Sequence, residues 1–299
     1  MHAFAPLVID EVDPAWADCR FLTCSVLPVR LACNLTCPFC FSRSSISALH
    51  HDRLDWETTD LEGYYAFARD RGATRLVITG GGEPLLRAFD VIRLIERARP
   101  YFPEIACFTN GTYLTSALAA QLREAGLSYL CYSRHHDDDE RCRTLMGSSA
   151  PTLDAFFQAA EGLKVRATCV MVRDYIDSPA AVERYMDRLT HWGVREFTFK
   201  HTYLAYEGSV FRGSMQDHWA AANRIDQDPF NGHGEVVGRL PWGPAIRRLG
   251  DRQVCYYHEP HPHWEKEHRL CRSINLLSDG SAYASLEDQR SRLFQLSSS

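Results

Sequence analysis

The stretch Leu76-Val77-Ile78-Thr79-Gly80-Gly81-Gly82-Glu83-Pro84 runs a short apolar segment into three glycines and then into a helical pattern over 85–98 that stops before Pro100. An apolar run closed by glycine reads as a buried strand followed by a sharp turn. The same rhythm continues on both sides. Strands are expected over 21–31, 105–108, 127–132, 165–172 and 197–200, and helices over 60–71, 115–125, 155–162 and 180–191. Pro28 places the first strand at a sheet edge or distorts its end. Strands alternating with helices of this length imply a parallel sheet. The six units are too few for a closed eight-fold barrel, so the expected fold is α/β, an open or partial (β/α)6 barrel. The rhythm is lost after Thr202. Residues 203–299 are rich in Trp, His, Tyr and Gly, with one strand pair around 274–284 turning at Asp279-Gly280. The division expected is an N-terminal segment 1–23, a barrel 24–202 and an irregular C-terminal cap or substrate lid 203–299. The tail Ser297–Ser299 is expected to fray.

The chain has 299 residues and a formal net charge of −5. That mild acidity argues against general nucleic-acid binding, which wants a basic footprint. With 45% hydrophobic and 24% charged residues, the composition is that of a folded chain rather than a disordered one. No window reaches the roughly 18 apolar residues of a membrane span. The first residues carry acids and no long apolar core, which does not fit a signal peptide. A cytoplasmic, reducing setting is therefore expected. There the 11 cysteines are ligands, reactive thiols or small core residues rather than disulfides.

Cys33-Asn34-Leu35-Thr36-Cys37-Pro38-Phe39-Cys40 sets three thiols within eight residues, directly after the first strand. A structural zinc ion normally takes four protein ligands, and the next candidates in the sequence are His50 and His51. An iron–sulfur cube takes one thiolate per iron, so three would leave one iron open. This CxxxCxxC, with an aromatic before its last cysteine, resembles the signature of the radical S-adenosylmethionine superfamily, and the resemblance covers residues 24–202. It implies a partial (β/α)6 barrel and a [4Fe-4S] cluster on Cys33, Cys37 and Cys40. It also implies S-adenosylmethionine as a consumed cosubstrate on the open iron, and an external one-electron donor such as flavodoxin or ferredoxin. Reductive cleavage of the sulfonium would then give a 5′-deoxyadenosyl radical that abstracts hydrogen from a substrate, the hard chemistry belonging to the cofactors.

Consecutive glycines let a backbone approach a ligand closely, although Gly80–Gly82 read equally as an ordinary turn. Beside the cysteine loop they resemble the family's GGEP element, which implies that Gly81, Gly82 and Glu83 hold the methionine amino group. Active-site groups of such barrels sit at the C-terminal ends of strands. The resemblance points there to Asn110 and Ser133 for ribose and carboxylate, to Arg166 and Met171 on the fifth strand, and to Phe39 near the adenine. The run Ser133-Arg134-His135-His136-Asp137-Asp138-Asp139-Glu140 ends the fourth strand. It reads either as a solvated loop before a helix or as a substrate site in which His135, His136, Asp137 and Asp138 attract a cation. His201 and Tyr203 end the sixth strand and are comparable candidates.

Cys107, Cys131 and Cys169 fall within strands and read as core, and Cys142 as part of a helix start. Cys19, Cys24, Cys255 and Cys271 remain. Either they ligate a second cluster, or one cap thiol, Cys255 with Cys271 next, returns hydrogen to a substrate radical. Either cap cysteine also reads as a plain buried residue. His258, His261, His263 and His268 are irregularly spaced between prolines and suit a solvated lid better than zinc. Trp242, Tyr256, Tyr257 and Trp264 would stack on sugar rings or pack the cap. The short chain, lone cap thiol and acidic loop resemble the aminoglycoside epimerases of the neomycin type. The leading expectation is thus a radical epimerase (an isomerase) acting on a cationic amino sugar in antibiotic biosynthesis. The alternatives are a radical dehydrogenase or peptide-modifying enzyme with a second cluster, and a zinc-dependent binding module.

Overall fold

The computed structural model describes residues 13–49 and 54–296. The expected fraying of Ser297–Ser299, the histidines His50 and His51, and residues 1–12 of the N-terminal segment lie outside the described residues. The strands are β1 (Arg20–Val26), β2 (Arg75–Ile78), β3 (Glu104–Thr109), β4 (Tyr129–Ser133), β5 (Val165–Val170), β6 (Glu196–Lys200), β7 (Glu235–Arg239), β8 (Ala245–Leu249), β9 (Arg252–Tyr257), β10 (Leu270–Leu276), β11 (Ser281–Tyr283) and β12 (Arg292–Gln295). The helices are α1 (Pro14–Ala17), α2 (Leu61–Asp70), α3 (Ala88–Ala98), α4 (Ser116–Ala125), α5 (Asp139–Met146), α6 (Leu153–Ala159), α7 (Pro179–Thr190), α8 (Met215–Ala222) and α9 (Pro262–His268). Side chains that accept from the first turn start many of them: Asp60 on α2, Thr115 on α4, Thr152 on α6 and Ser178 on α7. Gly126 ends α4 in the left-handed conformation.

Strands β1 to β6 pair in order, all parallel, and form the expected partial (β/α)6 barrel. The region after residue 202 adds to this sheet rather than only covering it. β9 lies parallel beside β6, and β10 lies parallel beside β1. The row β10-β1-β2-β3-β4-β5-β6-β9 therefore holds eight parallel strands, flanked by β11 and β12 on one side and β8 and β7 on the other. The expected turn at Asp279-Gly280 joins β10 to β11, with Ser281 N–H donating to Asp279 Oδ1. β9 and β10 are not hydrogen-bonded neighbours. Side chains meet across that seam instead: an Arg272 guanidinium nitrogen donates to Tyr257 Oη at 3.1 Å and lies 3.5 Å from Glu259.

Alternation divides the strands into two faces. Ile105 and Cys107, Leu130 and Tyr132, Ala167 and Cys169, Phe197 and Phe199, and Val254 belong to the main buried core. The opposite, inner face is more polar. In-register partners of parallel strands share a face, so Ser133, Thr168, Thr198 and Cys255 form one row across β4, β5, β6 and β9. All four are half-buried. The row below, toward the N-terminal ends, contains Cys131, Arg166, Glu196 and Gln253, and the row above contains Val170, Lys200 and Tyr257. Among the described residues, no helix is long and apolar enough to cross a membrane.

Candidate functional site

The cysteine loop leaves β1 and closes over the C-terminal ends of β2 and β3. The backbone N–H of Glu83 donates to Ala32 O at 2.8 Å, and Thr36 N–H donates to Met146 O at 2.8 Å. A Cβ on Gly81 would collide with Val29 O, and one on Gly82 with Ala32 O. These glycines are required because two backbones lie flush, which brings the turn after β2 against the base of the cysteine loop. Burial raises the Cys37 thiol, and the nearby Cys40 and Cys33 raise it further. Burial likewise raises Cys33, with Glu83 and Cys40 adding to the effect. Thiols raised in this way become thiolates together only against positive charge. Two asparagine amides lie in or against this loop. Asn110 Nδ2 donates to Cys33 Sγ at 3.7 Å, and Asn34 Nδ2 is buried without a partner among the described residues. The donor set fits a cationic iron–sulfur core whose sulfurs accept those amides.

Among the described residues, no three His, Cys, Asp or Glu side chains converge to hold a single metal ion. His258, His261, His263 and His268 therefore form no such group.

Glu83 has partners within the chain that the sequence did not show. Its carboxylate is turned inward and accepts from Leu85 N–H (3.0 Å), Thr109 Oγ1 (2.7 Å) and Asn110 N–H (2.8 Å). Burial raises its pKa, and these three donors oppose the rise. Glu83 thus ties the turn after β2 to the end of β3 and sets Asn110 against Cys33. Ser133 ends β4 on the inner face. Phe39 is buried edge-on to His135, with ring centroids 4.7 Å apart, and packs with Leu145 and Val172. Two fifth-strand candidates are corrected. Met171 is fully buried in the main core on the helix side. Strand parity instead gives Val170 to the inner face, and Val170 and Val172 are the apolar residues that meet Phe39. Arg166 does face inward, but at the N-terminal end. It lies 3.7 Å over the Tyr129 ring, 2.7 Å from Glu196 and 3.9 Å from Glu104, and helps to plug the floor of the barrel.

The acidic run follows its bland reading. Asp138 is the N-cap of α5 and accepts from Arg141 N–H, Asp139 pairs with buried Arg134 at 2.6 Å, and Glu140 pairs with Arg143. Asp137 lies against His136, with Oδ1 3.4 Å from Nδ1. His136 Nδ1 accepts from Asp138 N–H, and its Nε2 accepts from Arg141. His135 Nδ1 accepts from Val170 N–H at 3.0 Å, and burial, with Arg134 and Lys200 nearby, lowers its pKa to about 3. Both histidines, Asp138, Asp139 and Glu140 brace the end of β4 and the start of α5, whereas Asp137 Oδ1 is buried without a hydrogen-bond partner among the described residues.

The four remaining cysteines do not gather. Cys271 is fully buried and faces Cys19 at the start of β10, so it is not placed to meet a substrate. Cys24 is fully buried beside Tyr64. Cys255 alone stands on the inner face, in the row of Ser133, Thr168 and Thr198. Burial pushes its pKa up to about 11, which keeps it a thiol. On this side of the barrel lies a polar wall, of which the sequence pointed to His201 and Tyr203 but not to Lys200 and Glu259. Lys200 Nζ donates to Glu259 at 2.7 Å and lies 4.7 Å from the Tyr257 ring centre. Burial works against ionised Glu259, but Lys200 and Arg272 hold its pKa to about 2. His201 lies 3.5 Å from Tyr256 Oη, and burial together with Arg224 lowers its pKa to about 4. Tyr203 packs edge-on to Phe41, the residue after Cys40, and its buried hydroxyl faces Glu287. The alternation of β6, Glu196-Phe-Thr-Phe-Lys200, was a signal that placed Lys200 inward. Nothing in the sequence paired Lys200 with Glu259.

Residues 28–174 match the family model described as the Radical SAM superfamily. Among curated proteins, a probable GTP 3′,8-cyclase of Pyrococcus abyssi is 31% identical over 136 residues, which is 44% of this chain and 39% of that one. The GTP 3′,8-cyclase of Moorella thermoacetica is 35% identical over 97 residues, or 32% of this chain and 29% of that protein. The matches thus span less than half the length of these curated relatives. Among solved structures, Streptococcus suis SuiB bound to S-adenosylmethionine is similar in fold, with a TM-score of 0.59 and 16% identity over 89% of this chain and 60% of that one.

Proposed function

This chain belongs to the radical SAM superfamily, and on that premise we propose that it inverts one carbon centre of a small polyhydroxylated substrate of the amino-sugar class, with Cys255 returning the hydrogen. When bound, a [4Fe-4S] cluster on Cys33, Cys37 and Cys40 and its S-adenosylmethionine supply the carbon radical that removes hydrogen from the substrate. Glu83 and Asn110 position that end of the site, and Phe39 with Val170 and Val172 gives it an apolar wall.

The observation that carries the reading is the place of Cys255. The cysteine loop and its supports belong to β1, β2 and β3, whereas Cys255 belongs to β9, across the β9–β10 seam from them. A substrate lying between them is approached from two sides, which is what inversion requires. The neighbours of Cys255 in its row are small, so the layer leaves room for a ring. Its S–H bond is weaker than an ordinary C–H bond, and its raised pKa keeps the hydrogen on sulfur at neutral pH. In the return step the S–H bond breaks and a C–H bond forms. The sulfur regains one electron from a flavodoxin- or ferredoxin-type donor and one proton from solvent. Lys200, Glu259, His201 and Tyr257 offer donors and acceptors suited to hydroxyl and amino groups.

The test is anaerobic turnover in deuterated water of a panel of amino sugars, neomycin, kanamycin and gentamicin. A thiol exchanges with solvent, so one deuterium at one inverted carbon is expected. Inverted product without deuterium would contradict the thiol route.

A further inference from the structure

Three aromatic rings lead from the neighbourhood of Cys255 to the protein surface. Tyr257 follows Cys255 by two residues on the same face of β9, about 7 Å along the strand. The Tyr257 ring meets Trp242 edge-on with centroids 5.9 Å apart, and Trp242 meets Trp264 at 6.1 Å. Trp242 sits in the turn between β7 and β8, its indole N–H donating to His258 O at 2.7 Å, and Trp264 is on α9, stacked on exposed His268 at 4.3 Å. Both tryptophans are half-exposed. The chain of rings therefore crosses from the inner face of the barrel through the C-terminal region and ends at solvent, over elements that share no backbone ladder at the seam between β9 and β10.

We propose that Tyr257, Trp242 and Trp264 form a one-electron relay that restores the Cys255 thiol after each hydrogen transfer. The relay rests on the reading of Cys255 as hydrogen donor. Once the thiol has given up its hydrogen, the sulfur carries an unpaired electron. Tyr257 gives the sulfur an electron and releases its phenolic proton, and the sulfur takes up a proton to become S–H again. The oxidised tyrosine is refilled by an electron from Trp242, which is refilled from Trp264, and the tyrosine recovers its proton. A flavodoxin- or ferredoxin-type protein reduces Trp264 at the surface. One electron and one proton enter per cycle, and nothing else is consumed. The surroundings of Tyr257 suit this role: Arg272 Nη1 donates to its oxygen at 3.1 Å and lies 3.5 Å from the Glu259 carboxylate, which in this relay takes up the phenolic proton.

The wiring is tested first without substrate. Flash oxidation of the full-length chain with ruthenium tris-bipyridine places a hole on surface tryptophan, and tyrosyl radical is read by absorbance and electron paramagnetic resonance. Tyr257→Phe should remove most of the signal. Trp242→Phe should lower it severalfold, and Trp242→Tyr, which stays redox-active, should restore it. An unchanged yield in Trp242→Phe overturns the relay, and so does failure of Trp242→Tyr to restore the yield in a folded protein. With the reconstituted enzyme and the panel member that incorporates deuterium, Trp242→Phe should keep a burst of about one product per chain and lose steady turnover by about tenfold. Steady turnover equal to that of the unaltered enzyme overturns the relay while leaving Cys255 as donor. Unimpaired inversion by Cys255→Ala would remove the donor assignment itself, with the flash result still standing as a measure of the wiring.

Discussion

Glu265 shows how a single buried group can bias the whole fold. It is 3% exposed and accepts from Arg272 N–H at 2.9 Å, and burial still raises its pKa from 4.5 to about 7. The folded chain holds this proton more tightly than the unfolded chain does. The contribution of Glu265 is therefore complete below about pH 4.5 and is lost as pH rises to about 7, at most about 3 kcal/mol in all. Glu265→Gln should flatten the pH dependence of denaturant midpoints over that window relative to the unaltered chain. Parallel pH profiles for the two proteins would show that Glu265 titrates normally. The residue scale also shows what the sequence could and could not reveal. Cys33, Cys37 and Cys40 were legible because their spacing is local. Met171 was misplaced because parity, not position along β5, decides which face a side chain takes. Arg166 was misplaced because a residue on the inner face can still lie at the wrong end of the barrel. Glu83 was identified as important, but the three donors that fix it come from elements as far apart as residues 85 and 110.

At the scale of elements, the turn after β2 and the cysteine loop form a single unit. Gly82 lies against Ala32, so Gly82→Ala must push the loop away, and the rigid backbone on both sides leaves little room for relaxation. The expected outcome is a folded protein, with unchanged far-ultraviolet circular dichroism, that retains a small fraction of the iron and sulfide bound by the unaltered chain after anaerobic reconstitution. Full iron content in that variant would mean the loop tolerates displacement. The β/α elements before residue 202 were legible because apolar runs, caps and glycine stops agree with one another. A helix was expected around Cys142, but the start of α5 was hidden inside a run of charges that read as loop, although Asp138 is a good cap and Asp139 anchors Arg134. β9 was hidden because Arg252-Gln-Val-Cys-Tyr-Tyr257 has only Val254 fully buried, and its pairing with β6 is visible only in three dimensions.

For the molecule as a whole, the C-terminal region completes the parallel row to eight strands and leaves one seam, between β9 and β10, joined by Arg272, Tyr257 and Glu259 rather than by a ladder. The proposed donor thiol, Lys200 and Tyr257 lie on the β9 side of that seam, the cysteine loop follows β1 on the other side, and the aromatic chain passes from β9 to α9, which packs on β10. The account therefore depends on two halves of one barrel acting on the same substrate carbon from opposite sides. The most direct measurement is product analysis of Cys255→Ala, reconstituted with iron and sulfide and supplied with S-adenosylmethionine, reductant and the amino sugar that incorporates deuterium. The expected result is 5′-deoxyadenosine carrying the substrate's hydrogen, with no inverted product. Inversion at the rate of the unaltered enzyme would contradict the account.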